Sequence, residues 1–207
     1  MFGNQGKKYV IEQVKEGFDW DKIAKAPIDQ FAWCHEYKPE TYAQIVFLEE
    51  KEFVVKLTCV EKNPKADYKN YNDPVWVDSC LEFFVAFDAN NPNKYMNCEM
   101  NSAGAALMHI GTKGEGKRVS VESILGHYPT HKPEVLSDKW SVELHLTVED
   151  IKKLFGDIDF KKGYKFTANM FKCGDRTEYE HYGMWSYSVS IFPQFHQPEY
   201  FGQLIIG

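Results

Sequence analysis

The sequence predicts an all-β fold, an antiparallel β-sandwich of jelly-roll or immunoglobulin-like type with one short helix. Three observations predict it. Roughly ten segments alternate apolar and polar residues with period two, the mark of half-buried strands. Turn-forming runs such as DANNPNK and GTKGEGK separate them at short intervals. Only TVEDIKKLFG carries both a start and a stop signal for a helix. The 207 residues contain no linker, internal repeat or low-complexity stretch and read as a single domain, 1–207. A chain of this length buries roughly 70% of its unfolded surface, so the fold needs no disulfide or metal to hold it.

Taken in order, Ala43 to Leu48 and Phe53 to Val60 make a hairpin around Glu49, Glu50 and Lys51. The polar loop EKNPKADYKNYNDP follows and leads into DPVWVDSCLEFFVAFD, Asp73 to Asp88. On one alternate face of that stretch lie Val75, Val77, Ser79, Leu81, Phe83, Val85 and Phe87, which is core. On the other lie Trp76, Asp78, Cys80, Glu82, Phe84, Ala86 and Asp88, where a solvated face would carry Lys, Thr or Ser. KYMNCEMN repeats the division, with Met96, Cys98 and Met100 against Tyr95, Asn97, Glu99 and Asn101. A Ser102-Ala103-Gly104 turn joins it to a strand over Ala105 to Ile110. GTKGEGK lacks phosphate-loop spacing and context, and reads as a hairpin turn. Arg118 to Ile124 reads as a strand, GHYPTHKPEVLSD as a loop, and WSVELHL as a strand with Trp140, Val142, Leu144 and Leu146 inward. The helix has Thr147 at its N-cap, Asp150 three residues on and Gly156 at its stop. The strand YKFTANMF, the long aromatic loop DRTEYEHYGMWSYSVSIFPQFHQPEY and the closing strand FGQLIIG complete the chain.

The net charge of -6 and pI near 5.7 repel phosphate backbones, so nucleic acid is not an expected partner. No apolar run reaches membrane-spanning length. The N-terminus lacks the apolar core and cleavage site of a secretory leader, and five cysteines without CxxC spacing read as free thiols. A reducing, cytoplasmic location is the expectation.

If the two alternating strands are neighbours, Glu82, Glu99 and Asn101 share a face below Trp76. Trp185 stands in the aromatic loop among Tyr179, His181, Tyr182 and Tyr187. Aromatic faces beside planar hydrogen-bonding groups suit a sugar, whose C–H faces stack on rings while carboxylates and amides meet its hydroxyls. Glu99 beside Glu82 calls for a nearby cation, and Arg176 in the loop before Trp185 is the expected supplier.

The segments KAPIDQFAW, VWVDSCLEFFV, YMNCEMNSAG, ANMFKCGD, HYGMWSY and FPQFHQPEYFGQLII, in this order from near Lys25 to Ile206, resemble the family 9 carbohydrate-binding modules and their DOMON-like relatives. The resemblance implies a non-catalytic β-sandwich that grips a mono- or oligosaccharide, often a chain end, between two tryptophans. Here these would be Trp76 and Trp185, with Glu82, Asn101 and Tyr182 beside the sugar; Glu99 departs from the pattern, since sugar-binding members can carry a basic residue there, and joins the expected site by its strand face. It implies no cofactor beyond a structural calcium, for which Asp88, Asn90 and Asn93 offer oxygens, although a plain turn explains them. The sequence leaves three rivals. One is a glycosidase using Glu82 and Glu99 as its carboxylate pair. The second is a haem-binding DOMON-like domain drawing on Met96, Met100, Met108 and His109. The third is a scaffold whose aromatic loop meets another protein.

Overall fold

The structure is a computed structural model that describes residues 6–33 and 36–207. Its strands are β1 (Lys8–Val14), β2 (Ala26–Pro27), β3 (Thr41–Leu48), β4 (Glu52–Cys59), β5 (Cys80–Ala86), β6 (Lys94–Asn101), β7 (Ala106–Thr112), β8 (Val119–Ser120), β9 (His131–Val135), β10 (Trp140–Thr147), β11 (Lys165–Cys173), β12 (Tyr182–Met184) and β13 (Gly202–Ile206). The helices are α1 (Glu122–Leu125) and α2 (Val148–Phe155).

The strands make one curled sheet that closes over itself as a β-sandwich. One layer runs β8-β7-β6-β5-β11-β13 and the other β3-β4-β10-β9. Strand β1 joins them: Lys8 to Ile11 pair with β13 and Glu12 to Val14 with β3, both in parallel. The remaining pairings are antiparallel. The core lies between the layers. Phe53 stacks on Phe47 with ring centroids 4.4 Å apart and meets Phe87 at 5.3 Å and Phe166 at 5.6 Å from the facing layer. Leu81, Phe83 and Val85 of β5 and Met96, Cys98 and Met100 of β6 fill the same core, as their alternation predicts. In α2, Thr147 Oγ1 accepts the Asp150 N–H at 3.0 Å, Ile151, Leu154 and Phe155 are buried, and Gly156 ends the helix at φ +94°.

Four local expectations are corrected. The strand expected from Val75 begins only at Cys80, because Pro74 opens a 3₁₀ turn over Val75–Val77. The strand expected over Arg118 to Ile124 is two residues long, and the chain then turns into α1, which ends at Gly126 with φ +80°. Within GHYPTHKPEVLSD lies the edge strand β9, where Pro133 is tolerated because one side of an edge makes no ladder bonds. The stretch expected as one long aromatic loop contains β12, which pairs with β11; in addition, the N-terminal stretch contributes β1, whose Tyr9 and Ile11 are buried.

Every residue of β5 is buried, so the outer face of its layer is covered as well. Val75, Cys80, Leu107, Cys173 and Tyr182 cluster there, and next to them Phe84, Tyr95, Phe171, Met184 and Phe201, with Trp33 and Phe195 packed on both groups. At one edge the layers are tied by a buried ionic group. Lys172 Nζ lies 3.6 Å from Glu61 Oε2, 2.6 Å from His181 Nε2, and 3.0 Å from both Ser79 Oγ and the Cys173 carbonyl. Trp140 Nε1 and Ser79 Oγ donate to the same Glu61 oxygen. Among the described residues Cys59, Cys80, Cys98 and Cys173 are free and buried; Cys34 lies outside those residues. No helix of the described residues is long and apolar enough to cross a membrane.

Candidate functional site

The outer face of the β5 layer holds a cavity of about 300 Å³. Its floor is strand surface: Glu82 and Phe84 from β5, Asn97 and Glu99 from β6, Leu107 and His109 from β7, and Cys173 from β11. The register sets Glu82 directly opposite Glu99 and Phe84 opposite Asn97, so period-two geometry alone delivers these side chains to one face. Trp76, Asp175, Tyr182, the segment 193–196 and Arg118, just before β8, complete its lining.

Trp76 owes its position to its turn. Val75 and Val77 are buried beneath it, while the Trp76 carbonyl accepts the Asp175 N–H at 3.3 Å and Cys173 Sγ at 3.4 Å. The indole is 38% exposed, and its N–H has no acceptor among the described residues. Phe195 stacks on Phe171 at 4.0 Å and meets Tyr182 edge-on at 6.3 Å. The Tyr182 hydroxyl donates to Glu180 at 2.7 Å.

Both floor carboxyls are buried, Glu82 at 2% exposure and Glu99 at 4%. Burial pushes Glu82 well above the usual carboxylate range, and the neighbouring Cys173 and Glu99 push the same way. Glu99 is raised by burial to about 7, against the Asn97 hydrogen bond and the Arg118 charge, which pull it down. Asp175 rises to about 6 through burial and the proximity of Glu180. The cation expected from Arg176 comes instead from Arg118. Its guanidinium lies 3.9 Å from the Tyr95 ring centroid, and Nε donates to Asn97 Oδ1 at 2.9 Å while Asn97 Nδ2 donates to Glu99 Oε1 at 2.9 Å. Arg176 bonds through its backbone to the Val77 carbonyl and forms no ion pair with Glu99 among the described residues.

The structure thus brings Trp76, Glu82, Glu99 and Tyr182 to one cavity and leaves Asn101 and Trp185 out of it. Asn101 sits on the expected face, but its amide is fully used. Nδ2 donates to the Tyr68 carbonyl and to Asp78 Oδ2, both at 3.0 Å, while Oδ1 accepts the N–H groups of Ala103 at 3.1 Å and Ala105 at 3.0 Å. Its work is to fasten the loop before Trp76 and the turn after β6. Asn101→Ala should therefore lower stability by about 2 kcal/mol, because the buried partners lose their bonds. That corresponds to a fall in Tm of about 4–8 °C in a melting experiment; an unchanged Tm would show that the amide fastens nothing.

Trp185 is 2% exposed and belongs to the core between the layers. Its backbone N–H donates to the Met170 carbonyl at 2.9 Å, and its ring lies over Gly202, where any Cβ would run into the indole. The expected two-tryptophan clamp is not formed. Tyr182 and Phe195 are rings that line the cavity together with Trp76. Phe195 was missed because a long loop without periodicity carries no local sign of where it lands. Arg118 was missed because only strand pairing carries it to the Glu99 side.

The rival readings find these surroundings. Met96, Met100 and Met108 are in the inter-layer core, whereas His109 faces the cavity, so they cannot ligate one iron. Asp88 Oδ1 accepts the Asn90 N–H at 2.9 Å, an ordinary side-chain turn. Cys80, Glu82 and Cys173 are the described residues close enough to share a metal. Their thiols are raised by burial, that of Cys80 to about 12, and Cys173 Sγ donates to Glu82 Oε1 at 2.8 Å. The aromatic loop buries Tyr182, Met184 and Trp185 but leaves Ile191 and Phe192 exposed next to the cavity rim.

The comparisons agree with this architecture. The family model for carbohydrate-binding family 9 matches residues 12–206. A crystal structure of a candidate carbohydrate-binding protein from Bacteroides uniformis is 25% identical with a TM-score of 0.83, covering 98% of this chain and 100% of that one. A family 9 carbohydrate-binding module from Caldicellulosiruptor kristjanssonii in complex with glucose is 11% identical, TM-score 0.68, covering 97% of this chain and 96% of that one. The same organism's family 9 module with cellotriose is 10% identical, TM-score 0.67, with coverage of 97% and 93%. At such identities the last two share the fold. No curated protein matches the chain.

Proposed function

This chain belongs to carbohydrate-binding family 9, and on that premise we propose that it binds a saccharide without cleaving it, in the cavity lined by Trp76, Tyr182 and Phe195. The observation that carries the reading is the cavity itself: one lining combines a partly exposed indole, further aromatic rings and buried carboxyls. A sugar ring presents apolar C–H faces and an equatorial rim of hydroxyls, and this arrangement offers a surface to each. The indole N–H of Trp76 and the free oxygens of Glu82 and Glu99 are the groups that would meet hydroxyls. A volume near 300 Å³ encloses a small ligand or a chain end rather than a polymer laid along a surface. Family relatives in complex with glucose and cellotriose make those two the first ligands to test.

Isothermal titration of a saccharide panel headed by glucose and cellotriose should give saturable heat for at least one member, and Tyr182→Ala should weaken that binding about tenfold or more. Reducing-end concentration should stay constant on prolonged incubation with oligosaccharides. Release of reducing ends that Glu82→Gln abolishes would establish hydrolysis, and absence of any saturable saccharide would overturn the binding reading.

A further inference from the structure

We propose that the preferred ligand of the cavity is a cationic amino sugar, whose ammonium group seats against the Glu82–Glu99 floor while its ring stacks on Trp76. This rests on the saccharide reading above and adds the charge of the ligand. The first argument is a charge count. Three carboxyls, Glu82, Glu99 and Asp175, line the cavity against one permanent cation, Arg118. Arg118 is committed to neutral acceptors: the Tyr95 carbonyl at 2.7 Å, Asn97 Oδ1 at 2.9 Å, and the Gly111 and His109 carbonyls at 3.3 Å. It reaches Glu99 only through Asn97.

The second argument is the unspent bonding on the floor. Glu82 accepts only from Cys173, and Glu99 only from Asn97, so each leaves an oxygen with no partner among the described residues. Both side chains are more than nine-tenths buried and line the cavity. An ammonium group has three donors and a positive charge, which these two oxygens can take as charge-assisted bonds. The ring walls favour an organic cation by cation–π attraction. A bare calcium ion would need six to eight oxygens, which rings do not supply.

The other titratable groups facing the floor do not supply a competing cation. His109 and His196 are both held below the ordinary histidine range by burial and by Arg118, His196 at about 4. The Cys173 thiol is raised by burial. Burial favours the protonated forms of Glu82 and Glu99, and an entering ammonium displaces protons from them. Binding should release protons, and affinity should rise from about pH 5 to about pH 7, as Glu99 ionises, until the amine itself loses its charge.

The test is calorimetry of the full chain at pH 7 with glucosamine, glucose, N-acetylglucosamine and cyclohexylamine, each in two buffers of different ionisation enthalpy. Glucosamine should bind about tenfold or more tighter than glucose or N-acetylglucosamine, with net proton release, and Glu99→Gln should reduce that preference and the release together. A circular-dichroism spectrum and melt of Glu99→Gln verify its fold, and Glu82→Gln is the second variant. Equal or tighter binding of glucose would overturn the amino-sugar proposal and leave the saccharide reading standing. Cyclohexylamine binding as tightly as glucosamine would overturn the amino-sugar proposal, and no binding by any sugar would overturn both.

Discussion

Lys172→Ala should lower the free energy of unfolding by about 3–5 kcal/mol, the cost of stripping one partner from a buried ion pair. Lys172 has no exposed surface, and its ammonium is the cation of a cluster made by Glu61, Ser79, His181 and the Cys173 carbonyl. His181 Nδ1 lies 2.6 Å from the Tyr179 carbonyl and donates to it, which leaves Nε2 as an acceptor for the lysine. Burial first, and then the lysine charge, hold this imidazole neutral with a pKa of about 4. Burial raises the Glu61 carboxyl, but Lys172 and the Ser79 and Trp140 hydrogen bonds bring it below the ordinary range. Alanine leaves Glu61 buried without its countercharge and His181 without its donor. Urea titration of wild type and Lys172→Ala measures the loss, and the Lys172→Met/Glu61→Gln double variant should recover part of it. A loss of less than about 1 kcal/mol would show that the cluster is not what joins the layers.

The same cluster sets a pH dependence. A folded-state pKa below the unfolded value means that the unfolded chain binds more protons as pH falls. The His181 contribution is thus whole above its ordinary value of 6.5 and is lost as pH drops through about 4. Glu99 has the opposite sign: its contribution is whole below 4.5 and is lost as pH rises through about 7.

The second large effect separates the two tryptophans that the sequence reading joined. Trp185→Ala should cost about 3–5 kcal/mol of stability, the price of emptying a large buried ring from a packed core. Trp76→Ala should change stability by no more than about 1 kcal/mol, since the indole is 38% exposed and its turn is held by Val75, Val77 and backbone bonds. It should instead lose about 2 kcal/mol or more of saccharide affinity, as removal of a central aromatic anchor does. Thermal melts and titrations of both variants against a ligand found by screening make the comparison. Wild-type affinity in Trp76→Ala would remove the indole from the site. Wild-type stability in Trp185→Ala would contradict its place in the core.

Strand chemistry was legible in the sequence because period two is a local property. Leu81, Phe83 and Val85 had to face one way and Glu82 and Phe84 the other, whatever the rest of the chain did, and the pattern of β6 put Glu99 on a polar side with Asn97 and Asn101. The helix was equally legible, from Thr147 at one end and Gly156 at the other. The resemblance of ordered segments carried the family. What the tertiary structure alone decided is which partners those faces meet. Trp76 and Trp185 are the same residue type in similar aromatic company, but one rides on a 3₁₀ turn above the sheet while the other packs into the core over Gly202. Asn101 shares the face of Glu99, yet the Ala103–Ala105 turn and Asp78 consume its amide. Arg118, 19 residues beyond Glu99 in the sequence, becomes its cation only because β6, β7 and β8 pair side by side. Lys172 continues an alternation that elsewhere in β11 points Phe166, Ala168 and Met170 into the core, and it is tolerated there because Glu61 arrives from the other layer. Periodicity assigns a side chain to a face; only closure of the sandwich brings the opposite layer and the loops to that face and decides whether a polar group is spent on structure or left open for a ligand.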